Sequence, residues 1–325
     1  MKPKKILIIR FSSIGDIVLT SPVIRCLKNQ IENVQIHFVC KAVFADTLKH
    51  NKKIDKLFTF KNEIDEVVNE LKFEKYDLIV DLHYNLRSLL LKRKLKVPSL
   101  HFNKINFKKF LAVNFKKTAV LPKQHIVDRY FETVKSLNVF NDQLGLDYFI
   151  GDEDEIKLNS ISHLQKNDHF IALVIGGSYF TKQIPLNKLI EVCENATLPI
   201  VLLGGKHDQE IAHELCSKFN QLINTCGKLS LNQSASLIQQ AEWVITADTG
   251  LMHIASAFNK KIISVWGNTI PEFGMLPYKP NLQNKIMEVK DLSCRPCSKL
   301  GHKKCPVGHF NCMNLQDFSF VKDLN

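Results

Sequence analysis

Residues 243–258, WVITADTGLMHIASAF, join an apolar run to an Asp248-Thr249-Gly250 turn and then to a helical pattern of small residues that carries His253. A helix opening at such a turn offers backbone N–H groups with no intrahelical partner. Gly250 lets a ligand approach the main chain and Thr249 adds a hydroxyl. The chemistry this suits is anion binding, with phosphate as the first expectation. Asp248 would repel that phosphate if it faced it, so it belongs either at the helix cap or on a neutral hydroxyl such as a sugar's. His253 lies at the same helix end and either reaches the ligand or is simply buried.

Two more polar loops follow apolar runs in the same half of the chain. Gly176-Gly177-Ser178, with Thr181 and Lys182, could hold a diphosphate through amides and an ammonium, and Gly204-Gly205-Lys206-His207-Asp208 ends the next run. Each alone is compatible with an ordinary turn. Their convergence on one sheet edge favours an anionic ligand. In the first half, Arg10-Phe-Ser-Ser-Ile-Gly-Asp16 and Asp81-Leu-His-Tyr-Asn-Leu-Arg-Ser88 also stand where runs end. Asp16 reads first as a helix cap, and His83 and Arg87 are candidates to meet an acidic acceptor. Neither the dinucleotide pattern G-x-G-x-x-G nor the P-loop pattern G-x-x-x-x-G-K-[ST] is present.

The elements that must position these loops alternate. Strands are expected at residues 5–9, 35–40, 56–59 and 77–81, then at 170–175, 199–203, 243–245 and 262–266, with helical spacing between them at 63–71, 125–138 and 231–240. Such alternation implies parallel sheets with helices on both faces. The first helix begins at Asp16, or at Ser21 with Pro22 in its first turn. The acidic run Gly151-Asp-Glu-Asp-Glu155 marks the domain boundary, giving domains 1–152 and 153–325. Its D-x-D pattern, Asp152 and Asp154, is read as helix-dipole preference and not as a metal site.

A chain of 325 residues suits two domains. No run reaches the roughly 18–20 apolar residues of a membrane span, and the start lacks a signal peptide's apolar core, so a cytoplasmic protein is expected. Nine cysteines argue against a complete disulfide framework. Residues 1–150 hold 27 Lys+Arg against 15 Asp+Glu, so the whole net charge of +12 lies there. No acid occurs between Asp81 and Asp128, where lysines interleave with Phe102, Phe107, Phe110 and Phe115. That mixture suits anionic lipid or an acidic glycolipid, and no nucleic-acid signature accompanies it. In the tail, Cys294, Cys297, Cys305 and Cys312 are spaced for a structural Zn²⁺, with free thiols the alternative.

With these residues in view, the chain resembles glycosyltransferase family 9, the ADP-heptose:lipopolysaccharide heptosyltransferases. The resemblance rests on Arg10-Phe-Ser-Ser-Ile-Gly-Asp16, the Asp77-Leu-Ile-Val-Asp81 segment, Lys182 before Pro185 and, above all, Ala247-Asp-Thr-Gly-Leu-Met-His253. It implies a GT-B fold: two Rossmann-like parallel-sheet α/β domains facing across a cleft. The acceptor is expected on residues 1–152. The nucleotide sugar is expected on residues 153–325, which also carry the cysteine-rich loop and a terminal helix. By the same resemblance Asp16 is the catalytic base, and Ser13, His83 and Arg87 contact the acceptor. Ser178, Lys182, Thr249 and Gly250 hold donor phosphate, while Asp248 and His253 lie near the transferred sugar. Gly177-Ser178 stands where some members have two threonines, and Tyr84 where glycine is common.

The implied reaction is an inverting displacement: an acceptor hydroxyl, deprotonated by Asp16, attacks the anomeric carbon opposite the leaving diphosphate. It needs no metal and no other cofactor. The implied partners are an ADP-sugar, an acidic lipopolysaccharide-core acceptor and the inner membrane face, touched peripherally from the cytoplasm. The rival readings are a nucleotide-sugar epimerase of the same architecture and a non-enzymatic basic adaptor at the membrane.

Overall fold

The computed structural model describes residues 3–161, 164–165 and 169–324. They form two compact units, Met1–Ile105 with Gln124–Phe149, and Asn106–Lys123 with Ile150–Asn325. The second unit thus begins at Ile150, close to the acidic run. It also takes in residues 106–123, which the sequence order assigns to the first half. Those residues pack on the second unit's loops: Lys109 Nζ lies 5.6 Å from the Phe273 ring centre, and Lys116 Nζ donates to the carbonyls of Cys294 (3.1 Å) and Pro296 (2.7 Å). Five lysines move with the segment, so both units are net positive.

The first unit is built on β1 (Lys5–Ile9), β2 (Gln35–Lys41), β3 (Lys56–Phe60), β4 (Leu78–Asp81) and β5 (Ser99–His101), all parallel in the order β3-β2-β1-β4-β5. Ile6, Leu7, Ile8 and Ile9 are wholly buried, because helices cover both faces of a parallel sheet and leave no strand position for water. Helix Asp65–Phe73 turns Val67, Val68 and Leu71 into one of these cores, against Phe58 and Phe60. Full burial of each such side chain contributes roughly 1.5–3 kcal/mol. From β1 the chain builds outward to β3 on one side and then to β4 and β5 on the other. The carboxyl ends of β1 and β4 therefore flank a topological switch point, where loops diverge and leave a crevice.

The second unit repeats the plan with β6 (Ile171–Val174), β7 (Ile200–Leu203), β8 (Leu222–Asn224), β9 (Trp243–Ala247), β10 (Lys261–Trp266) and β11 (Lys285–Glu288), in the parallel order β11-β10-β9-β6-β7-β8. Alternate residues feed opposite cores: Leu173 and Ile245 join Leu189, Val192 and Phe318, whereas Ala172, Val244 and Ile262 join Leu237, Met252 and Trp266. Here the switch point lies between β6 and β9. The loop carrying Ser178 and Lys182 leaves the first of these strands, and Asp248 to Gly250 leaves the second.

The expected strands are present. Those missed, β5, β8 and β11, have three or four residues each and are partly exposed in β5 and β11. The choice between helix starts at Asp16 and Ser21 resolves into two helices, Ile14–Val18 and Ser21–Gln30, the second with Pro22 in its first turn. The terminal helix is a single turn, Asn311–Asn314, followed by the 3-10 turn Ser319–Asp323. Asp152–Asp154 is also one 3-10 turn, where Asp154 accepts hydrogen bonds from Ser230 Oγ (3.2 Å) and Asn232 Nδ2 (3.1 Å) and so steadies the start of helix Leu231–Gln240.

Candidate active site

At the first unit's switch point the chain leaves β1 through Arg10, whose guanidinium is turned inward. It donates to Ser12 O (2.8 Å), Leu82 O (2.6 Å) and the Tyr130 hydroxyl (3.2 Å), and pairs with Asp16 Oδ1 at 2.6 Å. Asp16 Oδ2 accepts from the Ser13 hydroxyl (3.0 Å) and the Ser13 N–H (3.3 Å). Both cap and ion pair are therefore real, and the carboxylate keeps a quarter of its surface. Burial alone would raise the Asp16 pKa, but the Arg10 charge and the Ser13 hydrogen bonds outweigh it and hold the group below its ordinary value. At neutral pH the group is an ionised carboxylate in an oriented frame.

The loop after β4 is anchored by Asp81, which is wholly buried. It accepts from the N–H groups of His83 (3.1 Å) and Tyr84 (2.7 Å) and from the Ser88 hydroxyl (2.8 Å), and pairs with Lys92 at 2.9 Å. Tyr84 takes φ 47°, the left-handed region that favours glycine. Its ring stacks on His101 with centroids 4.4 Å apart. Burial, reinforced by the Arg10 charge, pulls the His83 imidazole down to about 3, so His83 is neutral at neutral pH and offers no charge to an acidic acceptor. Arg87 is exposed and, among the described residues, makes no ion pair. Of the two, it alone supplies a cation.

At the second unit's switch point Lys182 and Asp248 meet. Lys182 ends the 3-10 turn Phe180–Lys182, and its Nζ lies 2.6 Å from Asp248 Oδ2, which also accepts the Thr269 hydroxyl at 3.0 Å. Asp248 is thus neither helix cap nor a free carboxylate; with Oδ2 doubly engaged, Oδ1 has no intramolecular partner among the described residues. Thr249 occupies the N-cap of helix Gly250–Ala257 in extended conformation, its hydroxyl 3.1 Å from that of Thr246. The first amides of this helix face the same carboxyl edge. His253 is buried, and Ser178 is exposed on the loop after β6. Thr269, from the loop after β10, is the participant that sequence reasoning missed; its one signal is its place just past a buried strand.

Two glycines of the expected loops have a packing role. A side chain at Gly176 would begin 2.5 Å from Asp208 Oδ2, and one at Gly204 would begin 2.9 Å from it. The buried Asp208 carboxylate also accepts the Gly205 N–H at 2.7 Å. These two glycines make room for an internal carboxylate.

One further expectation is corrected by the geometry. Phe102 is buried against Tyr130, with ring centroids 4.7 Å apart, so it does not belong to the basic aromatic surface; Phe107, Phe110 and Phe115, all on helix Asn106–Phe115, are exposed. The four tail cysteines lie near one another: Cys297, Cys294 and Cys305 all act on the Cys312 thiol, and Cys294 Sγ is 3.9 Å from His309 Nε2. Among the described residues no three of these donor atoms lie within 4.8 Å of one another.

Residues 64–307 match the family model described as glycosyltransferase family 9 (heptosyltransferase). The chain belongs to that family. It is therefore a glycosyltransferase, and curated relatives extend the match. Lipopolysaccharide heptosyltransferase 1 of Campylobacter coli is 28% identical over 307 residues, covering 87% of this chain and 89% of the relative; the enzyme of that name from Escherichia coli K12 is 24% identical, covering 82% and 89%. Among solved structures, a glycosyltransferase of family 9 from Veillonella parvula gives a TM-score of 0.80 at 21% identity, covering 99% of this chain and 96% of that one. An Escherichia coli heptosyltransferase solved with ADP gives 0.66 at 20% identity, covering 87% and 92%. The shared architecture is the two-unit parallel-sheet GT-B fold. No helix among the described residues is long and apolar enough to cross a membrane.

Proposed function

We propose that this glycosyltransferase moves a heptose or related sugar from an ADP-sugar to an acidic lipopolysaccharide-core acceptor, with inversion at the anomeric carbon. The observation that carries the reading is the Lys182–Asp248–Thr269 cluster beside the helix opening at Gly250. It combines a cation, helix amides and a carboxylate oxygen at a switch point, which is what a sugar bearing a diphosphate requires. Support for ADP comes from the Escherichia coli relative solved with that nucleotide.

In this reading the diphosphate lies on the Gly250 helix amides, Thr249, Ser178 and the free N–H bonds of Lys182. The ammonium neutralises Asp248, so the carboxylate tolerates the phosphate and turns Oδ1 to a sugar hydroxyl. His253 backs the same helix end. The acceptor binds the first unit through Arg87, Ser13 and neutral His83. Asp16 takes the proton of the attacking hydroxyl as the new C–O bond forms, and the bond to the diphosphate breaks with its electron pair leaving on ADP. Charge-assisted hydrogen bonds to that developing charge are worth roughly 1.5–3 kcal/mol each. Helix Asn106–Phe115, with Phe107, Phe110 and Phe115 outward beside Lys108 and Lys117, supports peripheral contact with an anionic membrane face.

The test is a panel of nucleotide sugars incubated with and without a lipid-linked core acceptor, with the product anomer read by NMR. The reading expects turnover only with acceptor, preference for ADP-sugars and an inverted anomer. A donor sugar altered without acceptor would instead mark an epimerase, and strong vesicle binding without nucleotide binding would mark an adaptor.

A further inference from the structure

Arg295 sits between Cys294 and Cys297, and its side chain is 7% exposed. Its Nε donates to Gly267 O at 2.7 Å and its Nη2 to Thr269 O at 3.0 Å, while Nη1 donates to Val289 O at 3.1 Å and pairs with Glu288 at 2.8 Å. The loop it grips, residues 267–269, leaves the carboxyl end of β10 and carries the hydroxyl that holds Asp248 Oδ2. The Cys297 N–H adds a bond to Asn268 O at 3.2 Å. Further along the same tail, His302 N–H donates to Thr181 Oγ1 at 2.8 Å and His302 O accepts the Thr181 N–H at 3.2 Å, next to Lys182. Both partners of the Lys182–Asp248 pair are therefore held from behind by one segment.

We propose that Arg295 is a positioning residue of the donor site. By fixing the carbonyls of Gly267 and Thr269 it aims the Thr269 hydroxyl at Asp248, and through Asp248 it sets Lys182. The inference rests on the reading of this cluster as the donor site. Arginine suits the task because its planar fork reaches three carbonyls in fixed directions, which a lysine ammonium does not. Glu288 neutralises the guanidinium, so Arg295 acts through geometry and not by lending charge to a phosphate. Without the Thr269 bond the Asp248 carboxylate is free to rotate, exchanging the oxygen that takes Lys182 with the one left for ligand.

The test compares Arg295→Gln, Arg295→Lys, Thr269→Val and the Arg295→Gln/Thr269→Val double variant. In the ligand-free protein, Arg295→Gln is expected to speed amide hydrogen exchange at residues 267–270 and also at 248–252. Donor KM is expected to rise roughly tenfold, the scale of one lost polar contact, with acceptor KM unchanged. Arg295→Lys should recover part of the loss, and the double variant should be no worse than the poorer single one. Faster exchange confined to residues 288–297, or an unchanged donor KM in Thr269→Val, would overturn the proposal. If Arg295→Gln does not fold, Arg295→Lys and Thr269→Val decide it by the same readouts. The exchange arm needs no substrate, so a wild-type protein inert toward ADP-sugars would remove the ADP-sugar reading and leave this one to be judged separately.

Discussion

Arg10 Nη2 lies 2.6 Å from Asp16 Oδ1, and the same guanidinium is bound to Leu82 O and the Tyr130 hydroxyl. The proposed base is thus tied to the loop after β4 by one buried cation. Its position is fixed before any acceptor arrives.

This pairing sets the sign of a pH effect. The proposed base Asp16 would act when ionised, and its pKa is lowered, so activity should hold down to a pH below the ordinary carboxylate range of about 4. The stability its ion pair contributes is present above the unfolded pKa and is lost as pH falls through the folded one. In Arg10→Gln the opposing charge is gone and burial dominates, so the acid limb of the kcat/KM profile should move toward neutral. An unmoved limb would show that another group controls it.

Lys182→Met should weaken ADP binding by roughly 10- to 150-fold, the equivalent of one charge-assisted hydrogen bond. Asp248→Asn removes the other half of the pair, and because the two share one contact at 2.6 Å their effects should not add. Calorimetry on the single and double variants measures this. Strict additivity would mean that the two side chains act on separate parts of the ligand.

Asp81 is wholly buried and, among the described residues, forms its ion pair with Lys92 at 2.9 Å. Lys92→Met should therefore cost about 3–5 kcal/mol, since it strands a buried carboxylate. Urea unfolding reports the change. A loss under about 1 kcal/mol would mean that Ser88 and the two loop amides satisfy Asp81 alone.

Replacing Phe107, Phe110 and Phe115 together by serine should reduce binding to anionic vesicles at least about tenfold, each inserted ring being worth up to roughly 1.5–3 kcal/mol. Binding should also fall as salt screens the lysines. Co-sedimentation across a salt series checks both effects. Equal binding of the variant, or equal binding to neutral vesicles, would contradict the reading of this helix as the membrane-facing element.

Much of this fold was legible because both sheets are parallel and buried on two faces. Their strands read as unbroken apolar runs, and each polar loop that follows one must fall on a carboxyl edge. The pairing of Lys182 with Asp248 was not legible, because it joins positions 66 residues apart and depends on β6 lying next to β9. Thr269 was missed for the same reason, being delivered by strand order and not by local spacing. The phenylalanines misled where composition was read without geometry. Phe102 follows β5 directly and turns into the core, whereas the other three lie on a helix with one exposed face. The packing role of the glycines at 176 and 204 was not legible because the carboxylate that needs their space, Asp208, is distant from Gly176 in sequence.

The central claim is that Asp16 does chemistry on an acceptor whose donor is held by the second unit. Single-turnover transfer with saturating ADP-sugar and acceptor, compared between wild type and Asp16→Asn at equal ADP affinity, tests it most directly. The predicted result is unchanged nucleotide binding with a rate lower by at least about two orders of magnitude. Transfer at a near-normal rate would show that Asp16 only caps helix Ile14–Val18 and anchors Arg10.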